Sequence, residues 1–290
     1  MNQNTNRQLR ALLILGRVSN LPTVWSNCLA GWWLGGGGNL GKLPLLLFGA
    51  SAVFTGGMFL NDAFDAAFDR QRQSSRPIPA GAISSAAVWR WSFALLALGA
   101  ISLAVLGKTT GVLTLALLAC IIIYDATHKA VTASPWLLGL CRFWIYVIAG
   151  STGAWGVNGG PIWCGTVLAI YVAGLDSLAR RKSFRGPVPY WPLLLLAMPV
   201  SLAMLMNTGP AREDAMLLSL VLVLWVARCA RTFFQPGEAN VGRIASGLLA
   251  GIVVVDWLAV APLLSHNVSI IVFPPLFGAT FLLQRYVSEA

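Results

Sequence analysis

The chain has 290 residues, of which 57% are hydrophobic and only 10% charged, and its formal net charge is +10. Soluble domains average about a quarter charged residues, so the composition excludes an ordinary water-soluble domain and makes the lipid bilayer the solvent. A charge of +10 would suit nucleic acid, but its distribution along the chain, set out below, excludes that partner.

In chain order, continuously apolar runs occupy 18–35, 43–60, 88–106, 110–124, 135–155, 162–179, 191–207, 215–232 and 246–264, with an apolar tail at 270–283. About 20 such residues cross a hydrocarbon core of roughly 30 Å. The runs lack the alternation of a transmembrane barrel strand, and a helix satisfies its own backbone polar groups in lipid. The prediction is an all-α, polytopic membrane bundle of about nine transmembrane helices, one domain over 1–290, with a central cavity opening to the cytoplasmic side. The first run follows Arg7, Arg10 and Arg17 with no cleavage site behind it, which reads as a start-transfer helix that stays in place. GGGG at 35–38 reads as a turn on the outer face. The five cysteines lack metal-ligand spacing and read as packing residues.

Alternating the runs from a cytoplasmic N-terminus puts Arg70, Arg72, Arg76, Arg90, Lys129, Arg180, Arg181, Lys182, Arg185, Arg228, Arg231 and Arg243 inside. Lys42, Lys108 and Arg212 fall outside. This is the positive-inside pattern, so the basic balance reports topology, and the expectation is an integral protein of a bacterial inner membrane.

The second run ends in NDAFDAAFDRQR, which places three of the chain's ten acidic residues within eight positions. With about 100° per residue and Asn61 at zero, Asp65 falls near 40°, Asp69 near 80°, Asp62 near 100° and Arg72 near 20°. One narrow face therefore carries three carboxylates and an amide, while Ala63, Phe64, Ala66, Ala67 and Phe68 fill the other positions. Hard oxygen donors in this arrangement suit Mg²⁺ whose shell is completed by a phosphate and water. The competing reading is a solvated helix end paired with Arg70, Arg72 and Arg76. In SSRPIPAG, at 74–81, Pro77 and Pro79 stiffen the chain, Gly81 permits a turn and Ser84 or Ser85 caps the next helix. That loop would hold Arg76 over the acidic face.

Together these residues resemble the UbiA superfamily of membrane prenyltransferases. Its NDxxDxxxD motif is matched by Asn61, Asp62, Asp65 and Asp69, and its RPxxxG-type loop by RPIPAG. RVSNLPTVWSNCLAG at 17–31 is similar to the family's first helix with its polar Asn27, and YDATHK at 124–129 to its tyrosine and lysine region. The family's second aspartate-rich motif is absent: YVAGLDSLARRKS holds Asp176 alone, followed by Arg180, Arg181 and Lys182. That departure, with SPWLLGLCR at 134–142, resembles the EboC-like branch.

The resemblance implies an Mg²⁺-dependent transfer of a prenyl group from its diphosphate to a small, aromatic or related, acceptor within the membrane. Asn61, Asp62, Asp65 and Asp69 are then the metal ligands, and Arg72, Arg76, Lys129, Arg180 and Arg181 the candidates for phosphate oxygens. Asp176, Tyr124, Tyr171, Asn27, Asp125 and Arg142 are candidates for orienting the acceptor or the allylic cation, with Tyr146 beside them. Asp176 is alternatively an ion-pair partner of Arg180 one turn away, and Asp256 a buried hydrogen-bonded group. Two other classes are weighed: a non-catalytic isoprenoid or metabolite carrier that kept only the first motif, and a cation transporter. The transporter needs acidic residues spread across membrane depth, whereas these gather at one end.

Overall fold

The computed structural model describes residues 3–72, 76–180, 190–231 and 241–286, with the side chains of 3–7 and 72 outside that description. Among the described residues the chain forms eleven α-helices and no strand: α1 Gln3–Leu15, α2 Leu21–Leu34, α3 Leu43–Arg72, α4 Ser85–Val105, α5 Lys108–Thr127, α6 Ser134–Ser151, α7 Gly159–Ala179, α8 Trp191–Met206, α9 Pro210–Ala230, α10 Val241–Val260 and α11 His266–Tyr286. α3, α4, α5, α7, α10 and α11 are six helices long and apolar enough to cross a membrane. With 14 residues α2 is too short to cross alone at 1.5 Å per residue.

The expected first run, 18–35, resolves into a 3-10 turn at Val18–Asn20 and α2, and the residues before it form α1. The break is local: Arg17 adopts a left-handed φ of 44°, and Pro22 lacks the N–H that a continuing helix would use but fits the first turn of a new one. α3 continues through the acidic motif for 30 residues, so what reads as a polar break begins as helix.

α2 touches α3, α6, α7, α10 and α11, and α6 lies against α2, α5 and α7, so these two helices divide the bundle. On one side Leu46, Val53, Leu60, Leu103 and Leu117 pack with Ile145 and Ile148. On the other Leu168, Leu175, Leu196, Leu222, Leu248 and Phe273 form a second core. Large apolar side chains stay exposed on α4, α5 and α9, among them Phe93, Ile101, Leu115, Leu217 and Leu224, as expected of surfaces facing acyl chains.

Lipid supplies no hydrophobic force between helices, so close approach at small residues matters more. GGGG makes its turn with φ of 93°, 63° and 108° at Gly36, Gly37 and Gly38, and the carbonyls of Gly37 and Gly35 accept from Ala154 and Trp155 at 2.9 and 2.7 Å. Gly139 of α6 lies so close to α7 that a Cβ would collide with the Ala169 carbonyl oxygen. Gly139→Val should therefore destabilise the protein by about 1–3 kcal/mol, read as a lower midpoint of thermal unfolding in detergent.

Candidate active site at the ends of α3, α5 and α7

Because α3 stays helical to Arg72, Asn61, Asp62, Asp65 and Asp69 do share a face, and all four are buried, at 7%, 7%, 8% and 3% exposure. The following loop is anchored by Ile78, which packs with Leu15, Phe59, Ala63, Ala66 and Val88. It coils tightly, with Ala80 N–H donating to Arg76 O and Ala82 N–H to Pro77 O, both at 2.9 Å, and Gly81 taking φ 70°. Ser84 is the residue that caps α4, its hydroxyl accepting from Ala87 N–H. The anchored loop holds Arg76 over the acidic face, where Nη1 donates to Asp69 Oδ2 at 2.9 Å and to Asp62 Oδ1 at 3.3 Å.

The third aspartate is met from the end of α5. Lys129 Nζ lies 2.6 Å and His128 Nε2 3.4 Å from Asp65 Oδ1. The hydrogen bond to that carboxylate holds the His128 pKa above the ordinary imidazole value. Lys129 also sits 4.2 Å over the Phe68 ring. Asn61 Nδ2 donates to Asp125 Oδ1 at 2.9 Å.

From α7, Arg180 completes the assembly. Its Nε pairs with Asp176 Oδ2 at 2.5 Å, and its terminal nitrogens donate to His128 O at 3.1 Å and to Tyr124 Oη at 3.2 Å. Tyr124 stacks on His128 with ring centroids 5.2 Å apart. Asp176 is thus the ion-pair partner of Arg180, and the pair docks α7 onto α5. The structure brings together ten of the candidate residues here; Arg181 and the Arg72 side chain lie outside the described residues.

Asn27 and Arg142 meet elsewhere, between α2, α6 and α10. Arg142 Nη1 donates to Asn27 Oδ1 at 2.7 Å and Nη2 to Thr23 Oγ1 at 3.1 Å. Asn27 Nδ2 passes the contact on to Asp256 Oδ2 at 2.7 Å. Ser26 donates to the same oxygen at 2.5 Å, and Tyr146 Oη to Asp256 Oδ1 at 2.6 Å. From sequence, Arg142 is expected to pair with a carboxylate or phosphate; its direct partners are an amide and a hydroxyl, with Asp256 one residue further on. Thr23 and Ser26 were not singled out, although their spacing from Asn27 puts all three on adjoining parts of one helix. Tyr171 joins neither cluster: it is fully buried and its hydroxyl donates to Leu248 O at 2.9 Å, so its place is the packing of α7 on α10.

A narrow cavity of about 50 Å³ lies between α3, α5 and α6, with Phe54, Met58, Ile121, Tyr124, Asp125 and Arg142 on its wall. It connects the two polar clusters.

Among the described residues no three Asp, Glu, His or Cys side chains converge on a point that would hold a metal. The aspartates instead face protein cations. The donor chemistry still suits Mg²⁺, which ordinarily takes one or two carboxylates and fills its octahedron with water and substrate phosphate. Asn61 fits as well, since its N–H is committed to Asp125 and leaves the amide oxygen.

The sequence profile of the UbiA prenyltransferase family matches residues 20–288. The chain belongs to the UbiA prenyltransferase family. A digeranylgeranylglyceryl phosphate synthase of Ignicoccus hospitalis is 36% identical over 104 residues, 36% of this chain and 34% of that relative. The match thus spans about a third of the curated relative. A solved structure of a digeranylgeranylglyceryl phosphate synthase superposes with a TM-score of 0.59 at 17% identity, covering 87% of this chain and 97% of the other. The UbiA homologue of Aeropyrum pernix, in its apo form, superposes at 0.51 and 18% identity, covering 92% and 97%. At these identities the two structures establish the UbiA fold.

Removing one charge from the α2–α6–α10 cluster strands the other in the bundle. Asp256→Ala should lower stability by about 3–5 kcal/mol, with Asp256→Asn costing less because it keeps hydrogen-bonding atoms; thermal unfolding in detergent compares the two.

Proposed function

We propose that the protein is an intramembrane prenyltransferase that moves a prenyl group from its diphosphate to a small acceptor, aromatic or related, with Mg²⁺ held by Asn61, Asp62, Asp65 and Asp69. The observation that carries this reading is the meeting of a buried face of three carboxylates and an amide with cations from two separate elements, Arg76 and Lys129, beside the Arg180–Asp176 pair. Alternating charge is what a metal diphosphate needs: carboxylates for the ion, guanidinium and ammonium groups for the phosphate oxygens. Topologically the reading has nine spanning elements of a bacterial inner-membrane protein, the first made of the Val18–Asn20 turn together with α2 and the others α3–α10, the acidic end facing the cytoplasm. The basic residues gathered at that end support it.

In this reaction the allylic carbon–oxygen bond breaks and its electron pair leaves with the diphosphate; the acceptor then supplies the pair for the new bond and loses a proton. Bound Mg²⁺ would stabilise the negative charge that gathers on the leaving group. The chain's own part is electrostatic and steric. Arg76 and Lys129, long side chains now resting on the aspartates, turn to phosphate oxygens when the ligand enters, and Arg180, fixed by Asp176, adds a positive charge where the second aspartate motif is missing. The apolar wall of the cavity excludes water from the allylic cation, and the Tyr124 and Phe54 rings offer faces that steady positive charge by roughly 0.5–2 kcal/mol each. The relatives' names support a glyceryl phosphate acceptor as a variant of this reading.

One observation favours a second reading, a non-catalytic isoprenoid or metabolite carrier: Arg76, Lys129 and His128 lie directly against the carboxylates that would hold the metal. Purified protein incubated with Mg²⁺ and prenyl diphosphates of several lengths should release pyrophosphate, and Asp65→Ala should reduce release by at least about a hundredfold, the scale of losing a main electrostatic contact to the transition state. Binding without release identifies the carrier.

A further inference from the structure

α7 ends beside the acidic face but presents it with a cation. Asp176 is the one acidic residue of α7, and none follows it before Glu213. Its Oδ2 is already paired with Arg180 Nε at 2.5 Å. Arg180 has two further anchors that no metal would claim, since Nη1 donates to His128 O at 3.1 Å and Nη2 to Tyr124 Oη at 3.2 Å. These contacts use three of the five guanidinium N–H groups and leave one on each terminal nitrogen. With the side chain 34% exposed, that pair of donors can be reached by a ligand. The carbonyl that Arg180 holds belongs to the residue whose imidazole lies 3.4 Å from Asp65, so the open fork stands one residue away from the carboxylates of α3.

The other two cations are held differently. Arg76 reaches Asp62 and Asp69 through Nη1, and Lys129 reaches Asp65 above the Phe68 ring. A dication that takes those carboxylates releases both side chains. Arg180 would keep its carbonyl and hydroxyl anchors whatever happens to Asp176.

We infer that the site takes a single divalent ion, on α3, and that Arg180 stands in for a second one, its fixed guanidinium binding phosphate oxygens on the α7 side through the two open N–H groups. A lone carboxylate can serve as a magnesium ligand, but here a second dication would have to sit against a guanidinium that is already paired to that carboxylate, and like charges at such range repel. Two phosphate oxygens suit the planar fork of arginine better than they suit an ammonium. The inference rests on the proposed metal–diphosphate site; it does not need the transfer step.

The test counts ions on the full chain in detergent. Protein saturated with Mn²⁺, which favours the same oxygen ligands as Mg²⁺, and with inorganic pyrophosphate is passed through a gel-filtration column; manganese and pyrophosphate are then measured per chain, and the EPR spectrum distinguishes an isolated Mn²⁺ from a coupled pair. The expected result is one isolated Mn²⁺ per bound pyrophosphate. Arg180→Gln should keep that ratio while weakening pyrophosphate by about tenfold, the scale of one hydrogen bond to a charged group; a merely structural role for Arg180 predicts no such separation. Arg180→Asp, which places two carboxylates four residues apart on α7 as Asp65 and Asp69 are on α3, should raise the ratio to two with a coupled spectrum. A coupled pair in the unmutated protein overturns the inference without any variant. So does an affinity that Arg180→Gln leaves unchanged, or a folded Arg180→Asp that still holds one ion. Pyrophosphate release together with two ions removes only this inference, one ion without release removes only the transferase reading, and failure to bind pyrophosphate overturns both.

Discussion

Three aspartates on one buried helix face repel one another at one end of the bundle, and the surrounding structure is arranged around that repulsion. Ile78 pins a proline-stiffened loop so that one guanidinium bridges Asp62 and Asp69. The end of α5 delivers Lys129 and His128 to Asp65. α7 is tied to α5 through Arg180, which contacts Tyr124 and the His128 carbonyl while paired to Asp176. Charge at the tip of a single helix thus gathers the following loop and the end of α5 around it, and the same cations that quiet the aspartates are the groups a diphosphate would recruit.

Deeper in the bundle the same constraint is solved without a direct ion pair. Arg142 and Asp256 are joined through Asn27, while Thr23 accepts a further Arg142 N–H and Ser26 and Tyr146 donate to Asp256. Satisfied networks of this kind specify one packing arrangement, whereas partly satisfied ones are costly in a low-dielectric interior. α2 stands at the centre because it carries the residues that link α6 to α10. Between the two polar layers the cavity is apolar, with Asp125 as its one incompletely satisfied wall group among the described residues.

Much of this was legible in the sequence where the physics is local. Helical spacing alone places Asn61, Asp62, Asp65 and Asp69 together, and the four-residue step from Asp176 to Arg180 allows their ion pair. The proline-rich loop announces a rigid turn that brings Arg76 back to the motif. What escaped depends on contacts far apart in sequence. Nothing in the neighbourhood of Arg142 reveals that its partners are Asn27 and Thr23, and Tyr171 reads like any interfacial tyrosine until α10 is seen to supply the Leu248 carbonyl. Hydropathy also smooths over the break at Arg17–Pro22, so α1 and α2 merge with their surroundings when read as apolar content alone.

The central claim is that the acidic face and its cations form one site for a metal and a diphosphate together. Calorimetric titration of inorganic pyrophosphate into the purified protein, with and without saturating Mg²⁺ and with the heat of the free magnesium complex subtracted, measures this coupling directly. The account predicts that Mg²⁺ tightens pyrophosphate binding by at least about tenfold, within the usual range of coupling between linked ligands, and that Asp62→Asn combined with Asp69→Asn removes the tightening. Pyrophosphate affinity unchanged by Mg²⁺, or coupling that survives the double substitution, would contradict it.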